Sequence, residues 1–148
     1  MIEILKAIID HLRKGEALMI KLGYTLASPD GVFEDQSFNL NSVKYPRIHI
    51  GINVDNPMHA QQVLKMAGKS KTVFYFDIHI FSNTSTSLES GEIEEIVRER
   101  MESVKISYSG VIFSGQAQKE SLVQAPQKDP ETGIIHTIAR YKVIARIE

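Results

Sequence analysis

The sequence of 148 residues contains no cysteine. Disulfide bonds, thiolate metal ligands and a cysteine nucleophile are therefore excluded together, and the absence fits a protein of the reducing cytosol. Long apolar runs are missing too, because none approaches the ~20 residues that a membrane-spanning helix needs. Charged residues at Glu3, Lys6 and Asp10 interrupt the N-terminal apolar segment, which therefore lacks the layout of a signal peptide. We expect a soluble, intracellular protein that binds no membrane.

An excess of charge of one sign is also absent, since the formal net charge is −1. Binding of nucleic acid would therefore need a local basic patch. Two small basic groups exist, but no interleaved aromatic platform accompanies them to stack on bases. We interpret them as solvated surface and expect no tight binding of nucleic acid. They consist of Lys65, Lys69 and Lys71, and of Arg140, Lys142 and Arg146.

Length and composition are those of an ordinary globular chain, with 43% hydrophobic and 24% charged residues. A chain of this length can bury a hydrophobic core without disulfides or metals. We therefore predict a single domain that spans residues 1–148.

Three segments have the spacing of amphipathic helices. Apolar residues at positions 4, 5, 8, 9 and 12 predict a first helix over Ile4–Leu12, which Gly15 is expected to end in the left-handed conformation. A short second helix, Glu16–Leu22, is expected to end at Gly23 in the same way. A third helix is predicted over Gly91–Met101.

The third predicted helix is rich in charge on its outer side, which is typical of a solvated face. Its N-cap is either Ser90 or Thr86, the latter with Glu89 as its capping-box partner. Glu94 and Arg98 have the spacing of an ion pair along the helix.

Alternating apolar residues predict strands elsewhere. The clearest are Arg47–Asn53 and Thr72–Phe81. A long hairpin is predicted from Gln116–Pro126 and Ile134–Ile147, joined by the turn Lys128–Gly133.

Three other segments are less clearly patterned. Val104–Ser114 is predicted to be extended, with Ile106, Tyr108 and Ile112 in phase. A short hairpin is possible around Asp30 and Gly31. Residues 59–68 fit either a helical turn or a long loop.

The period of two separates the faces of the two longest predicted strands. One face is predicted to form the core and comprises Phe74, Phe76, Ile78, Ile80, Ile135, Thr137, Ala139, Tyr141, Val143, Ala145 and Ile147. The other face mixes apolar, aromatic and charged residues, namely Val73, Tyr75, Asp77, His79, Phe81, His136, Ile138, Arg140, Lys142, Ile144 and Arg146.

Histidines on the mixed strand faces are the best candidates for chemistry. His49, His79 and His136 could bind zinc together with Asp77 if their strands were neighbours. Nothing in the sequence shows that these positions lie at one level of a sheet, and isolated imidazoles on such a face more often serve packing. Nucleophile-elbow and phosphate-loop motifs are absent. We therefore predict no catalytic residues, no metal and no cofactor.

Taken in order, the segments of this chain resemble the family of small phage tail-terminator, or tail-completion, proteins. The match depends on the order and spacing of elements rather than on one motif. It rests on the amphipathic N-terminal helix and on Tyr45–Ile50, Phe76–Ser82, Glu92–Met101, Asp129–Gly133 and His136–Val143. Residues 24–44 and 54–70 match least.

The resemblance implies an α+β fold, with an antiparallel or mixed sheet and helices packed on one face. It also implies a non-enzymatic protein that forms a homo-oligomeric ring, expected to be a hexamer. Such a ring caps the tail tube and provides the docking surface for the head and neck connector. The implied partners are further copies, the tail tube protein and connector proteins. The implied location is the bacterial cytoplasm during assembly and the tail or neck of the finished virion.

The mixed sheet face is our candidate for contact between subunits, since semi-polar surfaces are typical of such contacts. The apolar and aromatic candidates are Val73, Tyr75, Phe81, Ile138 and Ile144. Loops 28–44 and 127–133, with Asp129 and Glu131 in the second, are candidates for the rims of the ring.

Two alternatives remain open. The same face could be the floor of a pocket in a small-ligand-binding or regulatory module. The chain could also be a neighbouring head–tail neck or completion protein.

Overall fold

Three helices and one seven-stranded sheet make up the described part of the chain. A computed structural model describes residues 2–34, 44–52, 61–66, 69–113 and 115–147, with side chains over 4–34, 44–51, 73–113 and 115–146. The helices are α1 (Ile2–Arg13), α2 (Glu16–Leu22) and α3 (Leu88–Ser103). The strands are β1 (Val32–Glu34), β2 (Arg47–Ile52), β3 (Gln61–Met66), β4 (Lys69–Ser82), β5 (Val111–Phe113), β6 (Gln118–Lys128) and β7 (Ile135–Ile147).

The sheet is built on β4 and β7, which pair antiparallel from Thr72 opposite Ala145 to Ser82 opposite Ile135. Strands β2 and β3 follow one another along the outer edge of β4. Strands β6 and β5 do the same along the outer edge of β7. Only the pairing of β1 with β2 is parallel among the described strands. The sheet is therefore mixed and the fold is α+β, as the resemblance implies.

The helices cover one side of this sheet. Helix α1 buries Ile4, Ile8 and Leu12, which share one stripe of the helix, and it contacts β1, β2 and β5. Helix α3 buries Ile93 and Val97 against β4, β6 and β7. Burial of these stripes supplies most of the stabilisation of such helices, because isolated helices of this length are marginal in water.

The strand residues that face the helices form the core with them, and the predicted core face is confirmed at every position whose side chain is described. Phe76 and Tyr141 lie at its centre, with their rings stacked at 6.0 Å between centroids. The other predicted members that are buried are Phe74, Ile78, Ile80, Ile135, Thr137, Ala139, Val143 and Ala145. The side chain of Ile147 lies outside the described ones.

The helix ends were predicted with mixed success. Gly23 does end α2 in the left-handed conformation, with φ of 89°. The prediction for Gly15 is wrong, because its backbone is extended (φ −80°, ψ 109°) and it precedes α2 as the N-cap. An added Cβ there would lie 3.2 Å from the carbonyl oxygen of Leu12 and 3.3 Å from Arg100. The close approach of this junction between α1 and α2 to Arg100 of α3 is therefore a better reason for the glycine than a helix end.

Helix α3 starts earlier than predicted. Its N-cap is Ser87, so both Ser90 and Thr86 were wrong candidates. The hydroxyl of Ser90 instead donates to the carbonyl of Ser87 at 2.9 Å. The expected capping box is also absent, because the carboxylate of Glu89 accepts a hydrogen bond from Ser82.

The predicted ion pair of Glu94 with Arg98 is wrong as well. Arg98 pairs with Glu102 at 3.3 Å, one turn further on, while Glu94 pairs with Lys119 at the start of β6. Lys21 likewise pairs with Glu92 and links α2 to α3. Glu92 and Glu94 therefore join α3 to elements that are distant in sequence, and a pattern within one helix does not show such pairs.

Three strand predictions also need correction. The possible hairpin at Asp30 and Gly31 is wrong, because β1 follows this turn and runs parallel to β2. Residues 61–66 are strand β3, neither helical turn nor loop. Of the predicted extended segment Val104–Ser114, residues 104–113 are described, and among these only β5 is regular strand. Ile112 in β5 is exposed while its neighbours are buried, so its predicted phase was wrong.

Two reciprocal hydrogen bonds join α1 to α3 beneath the sheet. Nε2 of His11 donates to the carbonyl oxygen of Arg100 at 3.0 Å, and Nε of Arg100 donates to the carbonyl oxygen of His11 at 3.0 Å. His11 is almost wholly buried, and this burial lowers the pKa of its imidazole. Burial therefore favours the neutral form of the histidine that links the two helices.

Candidate functional site: the open face of the sheet

The side of the sheet opposite the helices is the candidate site, and we call it the open face. It carries Arg47 and His49 of β2, Val73, Tyr75, Asp77, His79 and Phe81 of β4, and His136, Ile138, Arg140, Lys142, Ile144 and Arg146 of β7. The residues of β4 and β7 are those of the mixed face that the sequence predicts, and Arg47 and His49 lie on the same side because side chains alternate between the two faces of a strand. Most of these side chains are partly exposed.

Strand register arranges these residues in rows across the sheet. The uppermost row contains Arg47, Phe81, His136 and Gln127 on four successive strands. The next row contains His49, His79, Ile138 and Gln124, and the third pairs Asp77 with Arg140. Tyr75 lies opposite Lys142 and Val73 opposite Ile144 in the rows below.

The three strand histidines do lie close together, which the sequence could not show. His49 is directly opposite His79, and Nδ1 of His79 lies 2.9 Å from Nε2 of His136. His49 is engaged separately, because Nε of Arg47 donates to its Nε2 at 2.9 Å. No group of three potential metal-ligating side chains is arranged as a metal site among the described residues. Hydrogen bonds and ring stacking therefore hold this histidine cluster together.

Aromatic stacking orders this cluster. The ring of Phe81 stacks on His136 at 4.3 Å and lies edge-on to His49 at 5.5 Å. Phe33 of β1, which the sequence analysis missed, contacts His49 at 5.5 Å and supports the guanidinium of Arg47 at 4.3 Å. Burial lowers the pKa of Arg47. The upper part of the open face is thus semi-polar and preorganised.

An ion pair occupies the middle of the open face. Arg140 donates from Nε to Oδ1 of Asp77 at 2.9 Å and from Nη2 to Oδ2 at 3.3 Å. This two-point geometry is the strongest form of an arginine–carboxylate contact. Asp77 is only 8% exposed although none of the described helices packs over it. Neighbouring side chains of the same face therefore shield the pair.

A second, more exposed pair lies below it. Nζ of Lys142 is 3.0 Å from Oε1 of Glu120 on β6. This hydrogen bond and the charge of Glu120 raise the pKa of Lys142. Two members of the basic group at residues 140–146 are thus paired within the chain. For the other basic group, Lys65, Lys69 and Lys71, the side chains lie outside the described ones.

The predicted contact residues occupy three different environments. Tyr75, Phe81, Ile138 and Ile144 are half-buried on the open face, where another surface could still cover them. Val73 is only 5% exposed and offers less surface than the others, and its role in contact stays a prediction. The third environment is the β6–β7 turn, which holds Asp129 and Glu131.

A cleft of about 320 Å³ lies between the upper row and the β6–β7 turn. Phe81, His136 and Ile134 line it together with Gln124 and Gln127. Gln124, which the sequence analysis did not single out, donates from Nε2 to the carbonyl oxygen of His136 at 3.0 Å. Aromatic walls with a few amide groups are common in ligand pockets, so this cleft is where the small-ligand alternative has structural support.

No helix among the described residues is long and apolar enough to cross a membrane. Comparison with protein-family models gave no match, and comparison with curated proteins gave none either.

Solved structures do match this fold. One neighbour is a chain in the virion of a native gene transfer agent particle, with a TM-score of 0.67, 10% sequence identity, and coverage of 95% of this chain and 92% of that one. Another is bacteriophage SPP1 gp17, with a TM-score of 0.54, 20% identity, and coverage of 95% and 86%. The chain therefore shares its fold with these gene-transfer-agent and phage proteins. At these identities the likeness concerns the fold, and it spans nearly the whole of each chain.

Proposed function

We propose that this chain is a structural protein of a phage or prophage tail or neck, and that it acts as the tail terminator. In this role, six copies form a ring that caps the tail tube and presents the docking surface for the head and neck connector. The chain has no enzymatic activity and no cofactor in this proposal. Its partners are other copies of itself, the tail tube protein and connector proteins.

The observation that supports this proposal most is the match of nearly the whole fold to a component of a gene transfer agent virion and to bacteriophage SPP1 gp17. The order and spacing of the sequence segments, which resemble those of tail terminators, agree with this match. Sequence pattern and fold therefore favour the same class of protein.

The open face supplies a means of assembly. Tyr75, Phe81, Ile138 and Ile144 combine half-buried apolar surface with paired charges, which is typical of non-obligate protein interfaces. Head-to-tail contacts between identical subunits close into a ring when the rotation per subunit divides the circle. A closed ring on the end of the tube then stops growth by covering the surface to which the next tube subunit would bind.

The rims of the ring would give specificity for the tube and the connector. The candidates are the β6–β7 turn and the segment 28–44 that precedes β2. Residues 28–34 and 44 of this segment are described. The ring forms in the bacterial cytoplasm and stays at the tail or neck of the finished particle in this proposal.

Deletion of the gene from the genome that carries it tests the role directly. A terminator is needed to limit tube length, so the induced lysate should contain tails of irregular length that lack heads when viewed by electron microscopy. Expression of the wild-type chain from a plasmid should restore uniform tails with heads, which serves as the control. Headless tails of uniform length would instead indicate a neck or head-completion protein. Normal particles would exclude both roles.

The small-ligand alternative is favoured by one observation, the aromatic cleft of about 320 Å³ beside His136. A ligand in this cleft should remain bound at one equivalent through purification. Native mass spectrometry compared with the denatured mass would detect it. If the native mass, after subtraction of bound solvent, equals the denatured mass, this alternative is excluded.

A further inference from the structure

A cleft and an exposed loop lie at the same end of the sheet, near its opposite edges. The cleft is the one of about 320 Å³ between the uppermost row and the β6–β7 turn. The loop connects α2 to β1, and we call its residues 24–29 the Leu26 loop. Just after it, the carbonyl oxygen of Gly31 accepts from the amide of Ile48 at 2.9 Å, next to Arg47 of the uppermost row. Strand β1 therefore brings the Leu26 loop to the level of the cleft.

Every residue that lines the cleft belongs to the described part of the chain. Phe81, Pro130 and Ile134 give it apolar walls. Lys128 and Asp129 bring one charge of each sign to the same lining. Such a lining favours a neutral occupant, because an anion or a cation would meet a like charge.

Two glutamine side chains supply hydrogen-bonding groups to the cleft. Nε2 of Gln124 donates to the carbonyl oxygen of His136 at 3.0 Å, so its Oε1 remains as an acceptor. The side chain of Gln127 forms no hydrogen bond within the described part of the chain. Carboxamide groups can donate to and accept from a peptide backbone. The cleft therefore suits a neutral peptide segment that carries an apolar side chain.

The Leu26 loop is a segment of this kind. Among the described residues the exposed large apolar side chains are Ile20, Leu26, Leu88, Val104, Ile112, Leu122 and Val123. All of these except Leu26 and Val104 belong to helices or strands, and Val104 borders the charged Lys105. Residues 24–29 contain no charged side chain. Leu26 is therefore the exposed apolar residue that a neutral loop presents.

A tight turn holds Leu26 in place. The amide of Ser28 donates to the carbonyl oxygen of Thr25 at 3.2 Å and to Oγ1 of Thr25 at 3.2 Å. At the start of the loop, the amide of Tyr24 donates to the carbonyl oxygen of Met19 in α2 at 2.7 Å. Leu26 is thus the second residue of a four-residue turn, and it stays 49% exposed.

We propose that Leu26 of one copy inserts into the cleft of the next copy, with the peptide groups beside it on Gln124 and Gln127. This inference rests on the proposed ring and names the surfaces that would join it. The loop and the cleft are two different surfaces near opposite edges of one subunit, so each copy offers one of them to each neighbour. Contacts of this head-to-tail kind are the ones that close into rings.

Truncation of the leucine tests the contact in the whole protein. Leu26→Ser should raise the concentration needed for half-assembly about tenfold or more, because each contact loses the burial of one apolar side chain. Leu88→Ser is the matched control, since Leu88 is 69% exposed at the start of α3 and lies outside the proposed contact. It should leave assembly unchanged. Sedimentation over a range of concentration measures both variants.

A peptide tests the cleft without assembly. The probe is a capped peptide with the sequence of residues 24–29, added to the Leu26→Ser variant, in which neighbouring copies no longer supply the leucine. The side-chain amide signals of Gln124 and Gln127 in ¹⁵N NMR should shift and saturate. The same peptide with serine in place of leucine should bind about tenfold more weakly or worse.

A substitution in the cleft gives the matching control on the protein side. Gln127→Ala, added to the Leu26→Ser variant, should weaken binding of the peptide about three- to tenfold, which corresponds to one hydrogen bond. Gln118→Ala at the other end of β6 lies away from the cleft and should change nothing.

The outcomes separate this contact from the ring itself. If the wild type assembles, then equal assembly of the Leu26→Ser and Leu88→Ser variants would show that the contact is wrong and leave the ring standing. Absence of a saturable shift with the peptide would lead to the same conclusion. If the wild type stays monomeric at all concentrations, the proposed ring is wrong and the contact falls with it.

Discussion

The two faces of strand β4 differ although they share one backbone. Phe76 faces the helices, is wholly buried and stacks on Tyr141, whereas Phe81 faces the other way, is half-exposed and stacks on His136. The inner face excludes nearly all polar groups, while the outer face pairs its polar groups with one another. Folding therefore requires burial of the inner face. The described side chains of the outer face are ordered by their contacts but stay partly exposed.

The largest effect should come from truncation of the inner face. Phe76→Ala removes a fully buried ring and should lower the free energy of unfolding by about 3–5 kcal/mol. Phe81→Ala on the same strand should cost about 1 kcal/mol, because part of this ring already contacts water. Urea denaturation of the two variants measures both values. Equal losses would contradict the distinction between the faces.

The next largest effect should come from the shielded ion pair of the open face. Asp77→Ala leaves Arg140 without its carboxylate in a partly buried site, and should cost about 2 kcal/mol. Its matched control is Lys142→Ala, which breaks the more exposed pair with Glu120 and should cost under about 1 kcal/mol. Thermal unfolding followed by circular dichroism shows which of the two variants loses more stability. A larger loss for Lys142→Ala would show that Asp77 is not shielded.

A pH titration should report on the helical side. Because burial lowers the pKa of His11 below the ordinary 6.5, the unfolded chain binds a proton there at a higher pH than the folded chain does. The contribution of this group to stability is therefore complete above about pH 6.5 and declines as the pH falls below it. His11→Gln keeps a donor for the carbonyl of Arg100 but cannot titrate, so it should flatten the decline. Urea midpoints between pH 8 and pH 5 measure it, and identical slopes for variant and wild type would contradict this assignment.

The smallest effect on stability should come from the exposed part of the open face. Ile138→Thr keeps a β-branched residue in β7 and should cost under about 1 kcal/mol, because Ile138 is only half-buried. If the face joins subunits, the same change should weaken self-association markedly. Urea denaturation and sedimentation of one sample measure the two effects. A large loss of stability with unchanged association would reverse our interpretation of this face.

The sequence predicted most reliably the strands whose two faces differ. In β7, Ala139, Tyr141 and Val143 alternate with polar residues because the described helices cover one side of the strand, so both the strand and its core face could be predicted. Strand β3 was missed, since Gln61–Met66 has no such alternation and owes its structure to pairing with β4. Strand β1 was missed for a related reason, because a parallel partner more than ten residues away leaves no local pattern.

The candidate site was predictable residue by residue but not as an arrangement. Alternation placed His49, His79 and His136 on the less apolar faces of their strands. Their proximity follows from strand order and register, which are set by pairing between distant segments. Phe33 and Gln124 contribute to the same cluster from β1 and β6, and no motif in the sequence marks either of them.

The central claim is that the open face and the sheet edges beside it join copies of this chain. Native mass spectrometry of the purified wild-type protein over a wide range of concentration tests it most directly. The account predicts a closed particle of about 100 kDa, six times the 16.7 kDa chain. A species of 16.7 kDa at every concentration would contradict it.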